Sequence, residues 1–294
     1  MRSQVLANPE RAWHVAAAPA AIDRAEIERR IGATDEPTEV LTGGLANLNV
    51  RVGRDRVLRI QRDPSTLPKH VALLRRPWRA LRTPAVLQTG ADFLVLEYLD
   101  LQPLPASAGE AVGRALAEIH AYTYDRAGDL GDDLSLVRPL SDPGFAARGY
   151  GHSGLREARP YLDPALAARI AAFLDTNEYA ARDALDVPVL CHCDFKLSNL
   201  HVTPAGELVV LDWDFAWAGP RLLDIGLLLR WQPPDAFVRD FAAGYRAGGG
   251  VLIADWRRIA EAIDLGSLLS VFAHNARARA TPDVERRLAE IVAG

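Results

Sequence analysis

The stretch TEVLTGGLANLNVRVGRDRVLRIQRD, Thr38 to Asp63, constrains the fold of this chain more than any other. Leu48, Val50 and Val52 alternate with Asn49 and Arg51, and Val57 and Leu58 continue into Ile60. A period of two places the apolar set on one face of a strand. Gly43-Gly44 and Gly53-Arg54-Asp55 break the pattern where turns are needed, which predicts an antiparallel meander of three strands. PAVLQTG and FLVLEYLD add two more, split by a turn at Gly90-Ala91-Asp92. A helix over AAIDRAEIERRIG, ending at Gly32, precedes this sheet. TLPKHVALLRRPW, with Pro68 near its start, reads as a short helix within it.

DLQPLPASAG, rich in proline and small residues, reads as a linker. Beyond it the apolar spacing becomes three and four, as in AGEAVGRALAEIHAYTYDRAG and DPALAARIAAFLDTNEYAARDAL. Residues 125–160 are rich in Gly, Asp and Pro and read as loop. VPVLCH, NLHVT and GELVVLDWD form a small β-island, and helices follow from Pro220. The expected class is therefore α+β in two lobes. Residues 1–99 form a small lobe with a helical extension and a five-stranded antiparallel sheet. Residues 100–294 form a larger, mainly helical lobe. The cleft between such lobes is a natural ligand site.

Composition narrows the functional classes. The net charge of −4 argues against a nucleic-acid binder that works by neutralising phosphates. Residues 1–100 carry 15 basic and 12 acidic side chains, and residues 101–294 carry 19 and 26, so the acidic excess lies in the second part. No apolar run reaches the roughly 18 residues of a membrane span, and the N-terminal MRSQVLANPERAWHVAAAPAA lacks a signal-peptide core. The only cysteines, Cys191 and Cys193, are too close for an ordinary structural disulfide. A reducing, cytoplasmic location is the expectation. Lysine occurs only at 69 and 196.

Both cysteines lie in LCHCDFKLSN, Leu190–Asn199, beside His192 and Asp194. A metal site is the first thought, but on a strand His192 points away from the two thiols, and zinc sites use separated ligand pairs. A redox pair usually has two residues between its cysteines rather than one. Without the cysteines, the pattern is His192-x-Asp194-x-Lys196-x-x-Asn199, and thirteen residues later Asp212 follows an apolar strand in VVLDWDF. That is the layout of a phosphoryl-transfer site. A carboxylate within reach of the acceptor hydroxyl takes its proton, which suits Asp194. Amide and carboxylate oxygens are the hard ligands that Mg²⁺ prefers, which suits Asn199 and Asp212. Lys196 lies close enough in sequence to neutralise charge moving in the transition state.

On these motifs the chain resembles the aminoglycoside phosphotransferase and choline-kinase-like family, small-molecule kinases with a protein-kinase-like fold. LTGGLANLNVRV resembles the family's glycine-rich nucleotide loop, RVLRI its third strand and FLVLEYLD its hinge. ALAEIH resembles a helix ending common in the family. CHCDFKLSN resembles the catalytic loop and LDWDFAWAGPRLLDIG the metal-binding segment. The resemblance runs from about Val40 to Leu229. It implies Asp194 as catalytic base or orienter, with Lys196 beside it, and Asn199 and Asp212 as magnesium ligands. It further implies that Gly43, Gly44 and Asn47 cover the ATP phosphates and that Arg59 contacts them. Glu97 and Leu99 would offer backbone groups to adenine. The implied reaction is ATP- and Mg²⁺-dependent phosphorylation of a small hydroxylated molecule. An aminoglycoside, choline-like amine or amino alcohol is favoured by the acidic second lobe. GTP as donor, and a non-catalytic nucleotide-binding pseudokinase, stand as alternatives.

Three departures from the family stand out. Cys193 occupies a place commonly held by glycine. Arg59 replaces a lysine. No glutamate lies between Val57 and Leu96, so the acidic partner usual on the small-lobe helix is missing and Lys69 or His70 stands there. Asp224 is expected to anchor the catalytic loop by hydrogen bonds, and His192 to bond backbone. His120 is read as packing, Trp213, Trp217 and Trp231 as core rather than a cation site. Asp214 is equally a surface residue or a support for the metal ligands.

Overall fold

The computed structural model describes residues 5–6, 9, 22–41, 47–141, 149–176, 187–276 and 282–293. Helix α1 (Arg24–Ile31) opens at Asp23, whose carboxylate accepts from the Glu26 N–H, and closes at Gly32 with φ 86°. Five strands follow: β1 (Thr38–Val40), β2 (Leu48–Val52), β3 (Arg56–Ile60), β4 (Val86–Thr89) and β5 (Phe93–Glu97). They form one antiparallel sheet in the order β1-β2-β3-β5-β4, with Leu58 opposite Val50 and Val95. Val50, Val52, Leu58, Phe93 and Val95 bury one face against Ile27 of α1. Helix α2 (Leu67–Leu74) lies between β3 and β4 in sequence and turns Leu67, His70, Leu73 and Leu74 inward.

The rest is mainly helical: α3 (Gly109–His120), α4 (Tyr150–Ala158), α5 (Pro164–Thr176), α6 (Arg221–Leu229), α7 (Asp235–Ala247), α8 (Trp256–Ala276) and α9 (Pro282–Ile291). Helices α3 and α7 touch backbone to backbone. A Cβ on Gly244 would meet the Glu110 carbonyl at 2.1 Å, and one on Gly113 the Phe241 carbonyl at 2.2 Å. The largest core cluster runs from Leu73, Leu74, Leu94 and Leu96 through Leu116 and Ile119 to Trp213 and Phe241, so it spans sheet and helices alike. The fold is the bilobal, protein-kinase-like one expected.

The region 125–160 departs from its reading as loop. It holds β7 (Gly128–Leu130), β8 (Leu136–Pro139) and α4, and β7 joins β12 (Trp217–Gly219) and β9 (Val189–Cys191) in a four-stranded sheet. The linker likewise carries β6 (Gln102–Pro103), which pairs with β10 (Leu200–Val202), itself paired with β11 (Leu208–Val210). Strands of two to four residues show no alternation, so only their distant partners define them. Among the described residues no helix is long and apolar enough to cross a membrane.

Candidate active site

The site is built on two loops that leave short buried strands. Chain leaving β9 forms the first, His192–Asn199, and enters β10; chain leaving β11 forms the second, Leu211–Trp213. The Leu211 N–H donates to the Asn199 carbonyl at 3.0 Å, which sets Asn199 beside the residue before Asp212. His192, fully buried, binds both loops: its Nδ1 accepts from the Asp194 N–H at 3.2 Å and its Nε2 lies 3.0 Å from the Leu211 carbonyl. That pattern calls for the neutral Nε2–H tautomer, and burial lowers the ring's pKa to match.

Asp224 of α6, fully buried, accepts the backbone N–H of His192 and of Cys193, each at 2.7 Å. It anchors the first loop as expected. His120 does more than pack. Its Nε2 sits 3.2 Å from Asp224 and its Nδ1 2.7 Å from the Tyr245 hydroxyl, so it ties the anchor to α7. His120, Cys191 and Asp224 are the one trio among the described residues whose ligand atoms approach within 4.8 Å of one another. Asp224 already accepts two N–H donors there, which marks the trio as a structural knot. Burial also pushes the Cys193 thiol pKa up, the opposite of a reactive thiolate.

Cys193 has φ 60° and Asp212 φ 65°. The left-handed backbone at 193 explains why glycine suits that position. Cys193→Gly is expected to change stability by less than about 1 kcal/mol, whereas the β-branched Cys193→Val costs about 1–2 kcal/mol. Urea denaturation of the two variants checks the difference.

Within the first loop, Asp194 uses both carboxylate oxygens. Oδ1 pairs with Lys196 Nζ at 2.9 Å, and Oδ2 accepts from Asn199 Nδ2 at 2.7 Å. Asn199 Nδ2 also donates to the Asp194 carbonyl at 2.9 Å. With its nitrogen spent on Asp194, the amide keeps its oxygen for another partner. Asp212 Oδ1 lies 2.7 Å from Arg59 Nη2, and the Asp212 side chain is 30% exposed. One amide oxygen and one accessible carboxylate suit a hard divalent cation.

Asp214 is not a surface residue. Its side chain is 8% exposed and receives Arg59 Nη2 at 2.6 Å and Asn47 Nδ2 at 2.6 Å. His70 Nδ1 of α2 approaches the other oxygen at 2.7 Å. Although burial opposes the charge, His70 and Arg59 hold the Asp214 carboxyl far below the usual range. Lys69, its neighbour on α2, donates to the Ala216 carbonyl at 2.6 Å, and burial lowers its pKa. The sequence places Lys69 and His70 on this helix but does not show their partners, Ala216 and Asp214.

At the hinge, the Glu97 N–H bonds the Ala85 carbonyl at 2.9 Å and the Tyr98 N–H bonds Asp55 at 2.7 Å. The Glu97 carboxylate meanwhile receives Arg82 Nη2 at 2.6 Å. Gly43 and Gly44 lie outside the described residues. Trp213 is core: it is fully buried and stacks on Trp78 with centroids 5.3 Å apart. Trp231 packs on the core of α4, α5, α8 and α9, and Trp217 is half-buried.

A loop carboxylate beside an amide, a second carboxylate after a strand and a cation on β3 are the parts that phosphoryl transfer on a protein-kinase-like fold requires. Residues 38–262 match the phosphotransferase enzyme family, and the chain belongs to it. No protein of curated function matches the sequence. Solved structures show the same fold at low identity. A fructosamine-3-kinase candidate from Thermobifida fusca is 21% identical with a TM-score of 0.65, over 90% of this chain and 98% of that one. The GDP and kanamycin complex of APH(2")-IIia is 17% identical with a TM-score of 0.68, over 91% and 95%. The streptomycin–ATP complex of APH(2")-IIa is 14% identical with a TM-score of 0.63, over 93% and 99%.

Proposed function

We propose that this protein transfers the γ-phosphoryl group of ATP to a hydroxyl of a small cationic molecule. The observation that carries the reading is the orientation of Asn199: its nitrogen is turned to Asp194 at 2.7 Å, leaving oxygen for a cation next to Asp212. In this reading residues 1–99 hold the nucleotide and residues 100–294 supply the catalytic loop and the acceptor site. Asp194 orients the acceptor hydroxyl and accepts its proton as the oxygen bonds phosphorus and ADP departs. Lys196, held at 2.9 Å from Asp194, faces the charge that moves. Asn199 and Asp212 would hold Mg²⁺, which when bound would offset the charge of the phosphates. Asn47 and Arg59 would contact the phosphates; Gly43 and Gly44, assigned to them by the same resemblance, lie outside the described residues. With the Glu97 N–H engaged by Ala85, the Glu97 carbonyl and the Leu99 N–H are the hinge groups for adenine.

Two observations support a cationic acceptor. Residues 101–294 carry 26 acidic against 19 basic side chains. Two proteins of the same fold are complexed with kanamycin and streptomycin. Their nucleotides, GDP and ATP, make GTP the alternative donor. The two free thiols suit a cytoplasmic location.

The test is ADP or GDP release with Mg²⁺ and a panel of aminoglycosides, choline, ethanolamine and other amino alcohols, with the phosphorylated product identified by mass. Acceptor-dependent release is expected for at least one member of the panel. Nucleotide binding without release on any of them favours the pseudokinase, and absence of binding removes both readings.

A further inference from the structure

The helix that normally supplies a carboxylate to the β3 cation has none here. Helix α2, LPKHVALL, carries Lys69 and His70 instead. A cation such as Arg59, 8% exposed, still needs a counter-charge, because an unpaired buried guanidinium is costly. The counter-charge comes from the segment that follows β11. Asp214 lies 155 residues away in sequence and 2.6 Å away in space. The usual arrangement is thus changed: the helix contributes His70 instead of an acid, and the segment after β11 contributes the carboxylate.

The two carboxylates near Arg59 have different surroundings. Asp214 is 8% exposed, and its oxygens face Arg59, Asn47 and His70, all from the small lobe. His70 Nδ1 approaches Asp214 Oδ1 at 2.7 Å with no aligned hydrogen bond on either atom. Asp212 is 30% exposed and touches Arg59 through Oδ1. Asp212 is therefore the carboxylate that can turn to a ligand, while Asp214 is committed to the protein. Arginine suits this role better than lysine: one guanidinium reaches both carboxylates through Nη2, while Nε is 3.4 Å from Gln61.

We propose that Asp214 is the positioning residue for Arg59, replacing from the large lobe the carboxylate that α2 lacks, so that the phosphate-binding cation is aimed only when Asn47, Arg59 and His70 are docked on the segment 212–216. The proposal rests on the nucleotide-binding reading above. Asp214 touches no reacting atom; it acts through Arg59, and its effect falls on nucleotide affinity.

The experiment is calorimetric titration of ATP with Mg²⁺, and of ADP without Mg²⁺, into four proteins: wild type, Asp214→Asn, Asp212→Asn and the double variant His70→Glu/Asp214→Asn. Circular dichroism verifies folding. Losing a charge-assisted contact predicts nucleotide binding about 10- to 100-fold weaker in Asp214→Asn, with and without Mg²⁺ alike. Returning the carboxylate to α2 in the double variant is expected to recover affinity to within about fivefold of wild type, which loss of packing alone would not allow. Asp212→Asn is expected to weaken binding mainly when Mg²⁺ is present. A folded Asp214→Asn that binds both nucleotides like wild type overturns the proposal. So does a loss confined to the Mg²⁺ titration, which would make Asp214 a metal ligand. If Asp214→Asn does not fold, the double variant decides alone: affinity near wild type supports the proposal, and a loss above about 100-fold overturns it. Wild type that binds no nucleotide removes the kinase reading itself, a result distinct from any pattern among the variants.

Discussion

Asp194→Ala is expected to lower acceptor-dependent ADP release by about 10²–10⁴-fold, the span of a positioned general base. Nucleotide affinity should change by no more than about threefold, because no group assigned to the nucleotide contacts Asp194 apart from Asn199. The structure explains why the loss should fall on kcat. Asp194 is held on three sides: its N–H is bonded to His192 Nδ1 at 3.2 Å, Oδ1 lies 2.9 Å from Lys196 and Oδ2 lies 2.7 Å from Asn199. Such a carboxylate is pre-oriented, so its contribution is realised as the proton moves rather than when substrate binds. Removing it also frees the Asn199 nitrogen, and a small weakening of Mg²⁺-dependent binding is the expected side effect. A kcat within threefold of wild type would mean that Asp194 is not the group that handles the acceptor hydroxyl.

The second large effect concerns stability. Asp224→Ala is expected to reduce the unfolding free energy by about 3–5 kcal/mol, against a typical total of about 5–15 kcal/mol. Asp224 is fully buried and accepts two backbone N–H groups at 2.7 Å, with His120 at 3.2 Å. Each N–H stripped of its acceptor in the interior costs about 1–3 kcal/mol. The two N–H groups belong to His192 and Cys193, directly before Asp194, so the residual activity of any folded fraction should fall as well. Urea denaturation followed by circular dichroism measures the change. A loss below about 1 kcal/mol would show that the loop is held by other contacts.

How much of this was legible depended on sequence separation. The antiparallel sheet was readable because each strand follows its neighbour through a short turn, and Leu48, Val50 and Val52 show the period directly. The contacts within the loop 192–199 are readable because Asp194, Lys196 and Asn199 lie within five residues of one another. Asp224 was readable as an anchor because a carboxylate inside the apolar run LLDIGLLLR needs buried partners. Strands β6, β7, β8 and β12 were not, since runs of two to four residues carry no periodicity. The pairing of Asp214 with Arg59, His70 and Asn47 was hidden for a different reason. The sequence shows only that α2 lacks an acid; the replacement lies 144 positions from His70 and becomes visible when the lobes are packed. His120 packs as read, but its hydrogen-bond partners Asp224 and Tyr245 are hidden for the same reason, lying 104 and 125 positions away.

The central claim is that Asn199 and Asp212 converge on one divalent cation carried by the nucleotide. The most direct measurement uses Mn²⁺ in place of Mg²⁺ and follows the electron paramagnetic resonance of Mn²⁺-ATP on adding protein. Wild type is expected to immobilise the ion, while Asn199→Ala and Asp212→Asn, folded by circular dichroism, are each expected to abolish or strongly weaken that signal. A wild-type spectrum unchanged by protein, or one retained in full by both variants, would contradict the account.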